Sequence, residues 1–282
     1  MTKVYRIEDL LSLMEKLRDP EFGCSWDRKQ SLRTLTGYTL EEVYEVIDAV
    51  ETGDNAQLQD ELGDLLFQVV FYAQIAKEEG RFEFSAVIGS ITEKLLRRHP
   101  HVFPDASLDS FGKSELALNA EQVAQRWELI KNEERALKAG TESAATRPSV
   151  LDDIPASLPA LERARKLQKR AASIGFDWPA VQGVVDKVKE ELKELEGELA
   201  LGDPLRIEQE FGDLMFSCVN LARHLQIDPE SSLRVSNRKF ENRFRAIESL
   251  AETEGKGLET LSETQLNGLW DRVKAVEKNS AK

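Results

Sequence analysis

The segment 190-EELKELEGELALGDPLRIEQEFGD-213 decides the fold of this 282-residue chain. It holds two stretches in which acids and leucines recur at three- and four-residue spacing, as they do on the faces of an α-helix. The stretches are separated by 202-GDP-204, and proline suits the first turn of a helix. The segment therefore predicts two helices joined by a tight turn, which is an antiparallel helix pair.

An earlier segment, 41-EEVYEVIDAVETGDNAQLQDELGD-64, aligns with this one without a gap. The same order continues downstream, because 93-EKLLRR-98 resembles 238-RKFENR-243 and 126-RWELIK-131 resembles 269-LWDRVK-274. Self-similarity that keeps its order along the chain indicates a repeated structural unit. We therefore predict the tandem duplication of a whole helical domain.

The expected fold class is all-α, with two tandem duplicated domains that are each built on an antiparallel helix pair. In 40-LEEVYEVIDAV-50 the apolar residues form one helical stripe, and no long stretch alternates in the manner of a strand. Residues 136–150 are rich in Ala, Ser, Thr and Gly and read as a linker. The predicted domains are therefore 1–135 and 151–282, with 136–150 between them.

Composition narrows the function classes. A net charge of −13 disfavours non-specific binding to nucleic acid or to anionic membranes. The two cysteines, Cys24 and Cys218, lie in separate halves, so a disulfide framework is not expected. Because there is no signal peptide and no apolar run of membrane-spanning length, we expect a soluble, cytoplasmic protein.

Four acids of the second helix pair have the spacing of a cation site. Glu191 and Glu194 share one helical face, Glu210 and Asp213 share another, and antiparallel pairing would bring the two faces together. Crowded carboxylates need neutralisation, and all-oxygen ligands favour Mg²⁺, with Mn²⁺ as a substitute. The same spacing occurs in the first half, in Glu42, Glu45, Glu61 and Asp64.

Two other site types fit the sequence poorly. A di-iron carboxylate bundle uses Glu-x-x-His motifs, and His99, His101 and His224 do not complete one. The Gly-Lys-Ser of 111-FGKSEL-116 is not a phosphate-binding loop, because Ser107 stands where that loop needs its first glycine. A solvated acidic face on a helical interaction protein remains the structural alternative.

Bases and a tryptophan follow the acids in both halves. Lys239 and Arg243 lie four residues apart, as required for gripping phosphate oxygens from one helical face. Trp270 and Lys274 have the same spacing and suit stacking on a base and contact with phosphate. Magnesium-binding acids followed by phosphate-binding bases indicate a nucleotide substrate.

The pattern EE-x-x-E followed by E-x-x-D resembles the signature of the MazG family of all-α nucleoside triphosphate pyrophosphohydrolases. Five further segments resemble two-domain bacterial MazG proteins: 17-LRDPEFGCSWD-27, 61-ELGDLLFQVVFYAQIAKEEGRF-82, 97-RRHPHVF-103, 151-LDDIPASLPALERARKLQKRAA-172 and 174-IGFDW-178. The resemblance implies magnesium-dependent hydrolysis of nucleoside triphosphates to monophosphate and pyrophosphate, with broad base tolerance. It also implies a homodimer, in which helices of the two subunits complete a bundle.

The resemblance also implies roles for individual residues. The metal ligands would be Glu191, Glu194, Glu210 and Asp213. Glu190 would be a general base or a hydrogen-bond acceptor, and Lys239 and Arg243 would stabilise charge on the leaving pyrophosphate. The expected substrate contacts are Lys187, Val188, Lys189, Glu190, Glu191, Arg206, Lys239, Phe240, Glu241, Asn242, Arg243, Trp270 and Lys274.

Two differences between the halves favour catalysis by the second one. Asn220, which can hydrogen-bond a base or sugar, has Phe71 as its N-terminal equivalent. After Arg98, the pair His99-Pro100 must end or bend the helix, whereas the helix around Arg243 can continue. The alternative is that the N-terminal domain is a noncatalytic dimerisation or nucleotide-sensing module.

Overall fold

A computed structural model describes residues 4–114, 116–141 and 149–280. The described residues form α-helices, with short 3-10 turns and no strand, so the all-α prediction is confirmed. None of these helices combines the length and apolarity needed to span a bilayer. The chain divides into two compact units, Met1–Glu142 and Ser143–Lys282. Their helices are α1 Ile7–Leu17, α2 Leu35–Thr52, α3 Asn55–Glu78, α4 Phe84–Arg98 and α5 Ala120–Thr141, then α6 Ala160–Ala172, α7 Val181–Leu201, α8 Pro204–His224, α9 Pro229–Thr253 and α10 Glu263–Ser280.

The predicted linker 136–150 differs from the structure at its start. Helix α5 continues to Thr141, so the first part of the predicted linker is helical. A composition of Ala, Lys and Leu after Glu134 supports helix propagation even where no apolar stripe is present. Residues 142–148 of the predicted linker lie outside the described part of the chain.

Each unit contains one long helix pair, α2 with α3 and α7 with α8, and both pairs turn in the same way. Gly53 ends α2 at φ 76° and Gly202 ends α7 at φ 78°, which is the left-handed conformation that glycine adopts without a Cβ penalty. The next residue caps the following helix: Asp54 accepts from the backbone N–H groups of Ala56 and Gln57, and Asp203 accepts from that of Leu205. The turn therefore sets how the acids of the two helices face each other.

The two units bury different cores. In the first unit α1, α2 and α3 enclose Met14, Leu35, Val70, Phe71 and Ile75. In the second unit α9 and α10 enclose Ile247, Ala251, Leu269 and Val273. The apolar stripe of α2 is only partly covered, since Leu40 is 52% and Val50 is 59% exposed.

An ion pair ties the loop between α6 and α7 to the end of α8. Asp177 accepts hydrogen bonds from the Arg223 guanidinium, with Nη1 2.9 Å from Oδ2, and its other oxygen lies 2.9 Å from His224 Nε2. Arg223 lowers the pKa of Asp177 to about 2, with His224 contributing less. The loop that carries Trp178 is thereby held against α8.

One substitution at the C-terminal cap of α7 and one within α7 test the glycine turn. Gly202→Ala should destabilise the second unit by about 1 kcal/mol, because alanine disfavours positive φ. Gly197→Ala is the matched control within the same helix, where an added Cβ meets nothing within 4 Å. It should stabilise by roughly 0.5–1 kcal/mol through helix propensity. Urea unfolding measures both, and equal effects of the two variants would contradict the turn assignment.

The Asp177 ion pair predicts a pH-dependent difference in stability. Since the pKa of Asp177 is lowered on folding, its contribution is present above the unfolded pKa and is lost as pH falls toward about 2. After allowance for solvent screening, Asp177→Asn should cost on the order of 1 kcal/mol at neutral pH. The gap between the unfolding free energies of wild type and variant should close as pH falls below about 4. A gap that is constant with pH would contradict this role.

Candidate functional site

Three of the four predicted metal ligands of the second unit meet between α7 and α8. Carboxylate oxygens of Glu191, Glu194 and Glu210 all lie within 4.8 Å of one another. Glu191 is buried, Glu210 is half-buried and Glu194 is exposed. We call these three residues the second-unit acidic cluster.

The electrostatics of the cluster favour a cation. Partial desolvation raises the pKa of Glu194, and the neighbouring carboxylates, Glu191 before Glu210, raise it further. A group whose charged form is penalised by like charges is stabilised by any positive ion that reaches it. Three oxygen donors in this arrangement suit a hard divalent cation such as Mg²⁺.

Lys187 supplies a positive charge to this cluster from one turn earlier in α7. Its ammonium nitrogen lies 2.8 Å from an oxygen of buried Glu191 and 2.6 Å from an oxygen of Glu190. The hydrogen bonds that Lys187 donates to Glu190 and Glu191 raise its pKa, so the amine stays protonated. Glu190 is therefore not a member of the cluster but a partner of its lysine.

Asp213, the fourth predicted ligand, is not in the cluster and instead lines the pocket beside it. This pocket has a volume of about 360 Å³, and Glu191 and Lys187 also line it. Phe176 and Trp178 give it an aromatic side, while Asn220 and Arg223 add polar groups; the remaining lining residues are Leu151, Leu167, Gln168, Ala171, Asp177, Phe216 and Ser217. An apolar pocket with a few polar groups is typical of small-molecule sites.

Asn220 is buried in this pocket, and a chain of hydrogen bonds fixes its orientation. Its Oδ1 accepts from Arg223 Nε at 3.0 Å and from Arg223 Nη2 at 2.8 Å, and Arg223 is in turn held by Asp177. Because its oxygen is engaged, the Asn220 amide group can offer only N–H donors to a ligand. The predicted substrate residue therefore lies beside the acidic cluster with a defined polarity.

The predicted basic and aromatic residues form a separate group between α9 and α10. Arg243 is ion-paired with Glu277 at 2.7 Å, and its guanidinium carbon lies 5.5 Å from the centre of the Trp270 ring. The ring of Phe240 is 5.6 Å from that of Trp270. Arg243, predicted as a phosphate contact, is thus already engaged by a carboxylate, which the sequence reasoning did not anticipate.

The remaining predicted substrate residues have mostly local contacts. Lys189 pairs with Asp186 at 3.3 Å, Arg206 lies 3.6 Å from Glu198, and Lys274 lies 3.7 Å from Asp271. Val188 is half-buried, whereas Lys239, Glu241 and Asn242 are exposed on α9. Their roles in binding stay predictions.

The first unit contains an acidic cluster of its own, which we call the first-unit cluster, and its surroundings differ from those of the second-unit acidic cluster. Carboxylate oxygens of Glu42, Glu45 and Glu61 also lie within 4.8 Å of one another. Partial burial raises the pKa of Glu42, and the negative charge of Asp64 raises it further. Glu42 accepts a hydrogen bond from the uncharged amide of Gln68, with Nε2 3.4 Å from Oε1. By the 149-residue offset, Lys187 corresponds to Tyr38 and Asn220 to Phe71. The first unit therefore has no lysine at the position of Lys187 and no amide at the position of Asn220, and its buried amide is Gln68 instead.

Sequence reasoning missed the residues that shape the pocket. Phe176, Asp177 and Trp178 belong to 174-IGFDW-178, a segment that carries the family resemblance and to which no role was assigned. A Cβ added at Gly183 would lie 2.5 Å from the Trp178 ring, so glycine at that position allows the ring to pack on α7. The sequence signal for these residues was the resemblance of this segment to the family, which by itself does not assign a role to any of them.

Comparisons with known proteins identify the family of this chain. The family model described as the MazG nucleotide pyrophosphohydrolase domain matches residues 30–103. A protein of Escherichia coli (strain K12) named nucleoside triphosphate pyrophosphohydrolase is 49% identical over 274 residues, which is 96% of this chain and 98% of that protein. A Thermotoga maritima protein named nucleoside triphosphate pyrophosphohydrolase/pyrophosphatase MazG is 45% identical over 267 residues, 95% of each chain. With this identity over nearly its whole length, the chain belongs to the MazG family of nucleotide pyrophosphohydrolases.

Proposed function

We propose that this protein hydrolyses nucleoside triphosphates to nucleoside monophosphate and pyrophosphate in a Mg²⁺-dependent reaction, with Mn²⁺ as a substitute. The observation that carries the proposal is the second-unit acidic cluster beside a pocket of about 360 Å³ with aromatic and amide groups. The relatives' names supply the reaction class. We propose a broad substrate range that includes ATP, deoxynucleotides and noncanonical nucleotides.

In the proposed reaction the second-unit acidic cluster holds the cation. Glu191, Glu194 and Glu210 would provide three oxygens, and Asp213, one turn later on α8, is the proposed fourth ligand. When bound there, Mg²⁺ would offset the negative charge of the carboxylates and of the triphosphate oxygens. The donor set fits this ion because all four groups are carboxylates.

The chain's own groups position the other participants. Water attacks the α-phosphorus, the bond from that phosphorus to the bridging oxygen breaks, and pyrophosphate leaves with that oxygen. Glu190 is exposed next to Lys187 and serves either as the general base for the water or as a hydrogen-bond acceptor. Lys239 and Arg243 offset the charge of the leaving pyrophosphate, and Glu277 orients Arg243 by accepting hydrogen bonds from its Nε and Nη2.

A homodimer is the proposed assembly. Both long helix pairs expose apolar side chains, including Leu62 and Leu66 on α3 and Phe211 and Met215 on α8. Apolar side chains in such number on paired helices favour burial against another protein surface. The proposed location is the cytoplasm, where nucleoside triphosphates and Mg²⁺ are both available.

Product analysis tests the reaction class. Purified full-length protein is incubated with MgCl₂ and a panel of ribo- and deoxynucleoside triphosphates in ¹⁸O-labelled water, and the products are resolved by mass spectrometry. We expect monophosphate and pyrophosphate, with the label in the monophosphate because water attacks the α-phosphorus. Diphosphate and phosphate as products would overturn the reaction class, and label in pyrophosphate would overturn the site of attack.

A matched pair of substitutions tests which unit performs the chemistry. Glu194→Gln removes one charge from the second-unit acidic cluster and should lower kcat by at least about 100-fold, the usual cost of losing a preorganised electrostatic group. Glu45→Gln makes the equivalent change in the first-unit cluster and should lower kcat by less than about threefold if that unit has a noncatalytic role. Circular dichroism confirms that both variants fold. Equal losses would show that the assignment to the second unit is wrong.

A further inference from the structure

The two acidic clusters differ in one charged neighbour, which is present only beside the cluster of the second unit. Lys187 contacts both Glu190 and buried Glu191, while Tyr38 stands at the corresponding position of the first unit. No ion pair involves Glu42, Glu45 or Glu61 among the described residues of the first unit, and Glu42 has a neutral amide as its hydrogen-bond partner. A three-glutamate cluster on a helix pair can therefore form without a lysine at this position.

We infer that Lys187 is an internal counter-ion that competes with a divalent cation for Glu191, and that cation binding releases its ammonium group toward the triphosphate. The inference rests on the proposed function of the second-unit acidic cluster. It adds a coupling between cation binding and substrate capture that the positions of the acids alone do not imply.

The burial of Glu191 makes the competition strong. Its side chain is 7% exposed, so its negative charge is poorly solvated and depends on a nearby positive group. A Mg²⁺ ion binds carboxylate oxygens at about 2.0–2.1 Å, and a second positive charge on the same carboxylate repels it at short range. The ammonium and the divalent cation therefore oppose each other at Glu191.

Lys187 also has the freedom to move. The Lys187 side chain is 32% exposed, and the side chain of its second partner, Glu190, is 55% exposed. The ammonium group is therefore not enclosed by its surroundings. A lysine side chain has four rotatable carbon bonds and a point charge that binds phosphate from many directions. A released Lys187 therefore remains within one helical turn of Glu191, where the phosphates of a metal-bound nucleotide would lie.

The test measures Mg²⁺ affinity by titration calorimetry on the full-length chain without nucleotide. Every protein carries Glu45→Gln, so that binding to the first-unit cluster is reduced equally. Lys187→Met should tighten Mg²⁺ binding by about tenfold, the effect of removing one partly buried charged contact. Lys187→Arg keeps the positive charge and should bind Mg²⁺ as the parent protein does. Lys189→Met removes the same charge from α7 at a residue paired with Asp186, and should change the affinity by less than about threefold.

A melting experiment gives a second readout. In EDTA, Lys187→Met should melt several degrees below the parent protein, because the acidic cluster loses its counter-ion; saturating MgCl₂ should close that gap. Unchanged or weaker Mg²⁺ binding by Lys187→Met, or by Lys187→Gln should the methionine variant fail to fold, would overturn the inference and leave the proposed function intact. Failure of the parent protein itself to bind Mg²⁺ at millimolar concentration would overturn both.

Discussion

The arrangement of like charges on one antiparallel helix pair is the constraint on which the site depends. Glu191 and Glu194 approach Glu210 across the α7–α8 interface, and the left-handed glycine at 202 sets the register that makes them meet. Carboxylates at this separation repel unless a positive charge reaches them. A bound cation would offset the repulsion between these carboxylates. The cluster lies beside a pocket that is large enough for part of a nucleotide.

The two units solve the same electrostatic problem differently. In the second unit a lysine neutralises the buried acid, and an Asp177–Arg223–Asn220 network orients a buried amide toward the pocket. In the first unit Gln68 takes the position next to Glu42, and Phe71 fills the core at the position of Asn220. A core phenylalanine in place of a buried amide adds apolar packing and removes a hydrogen-bonding group. The geometry of the acids is common to both, whereas the groups that would recognise a substrate are found in the second.

Arg243 and Glu277 place a second constraint on the chemistry. The same contact recurs in the first unit, where Arg98 pairs with Glu134 at 2.6 Å and lowers the pKa of that glutamate to about 2. In both units the arginine therefore joins two helices, and in the second unit it also lies over the ring of Trp270. Glu277 accepts hydrogen bonds from Nε and Nη2 of Arg243, so this ion pair orients the guanidinium between α9 and α10.

The sequence by itself determined the helical class, the two acidic clusters and the turns that bring their helices together. These features depend on spacings of three or four residues and on a glycine after the last helical turn, which helix geometry translates directly into position. The tertiary structure alone decided that Asp213 lines the pocket, that Arg243 pairs with Glu277, and that Asp177 anchors Arg223. The residues of each pair lie 34 or 46 positions apart. Their contacts follow from how helices and loops pack, which no local spacing encodes.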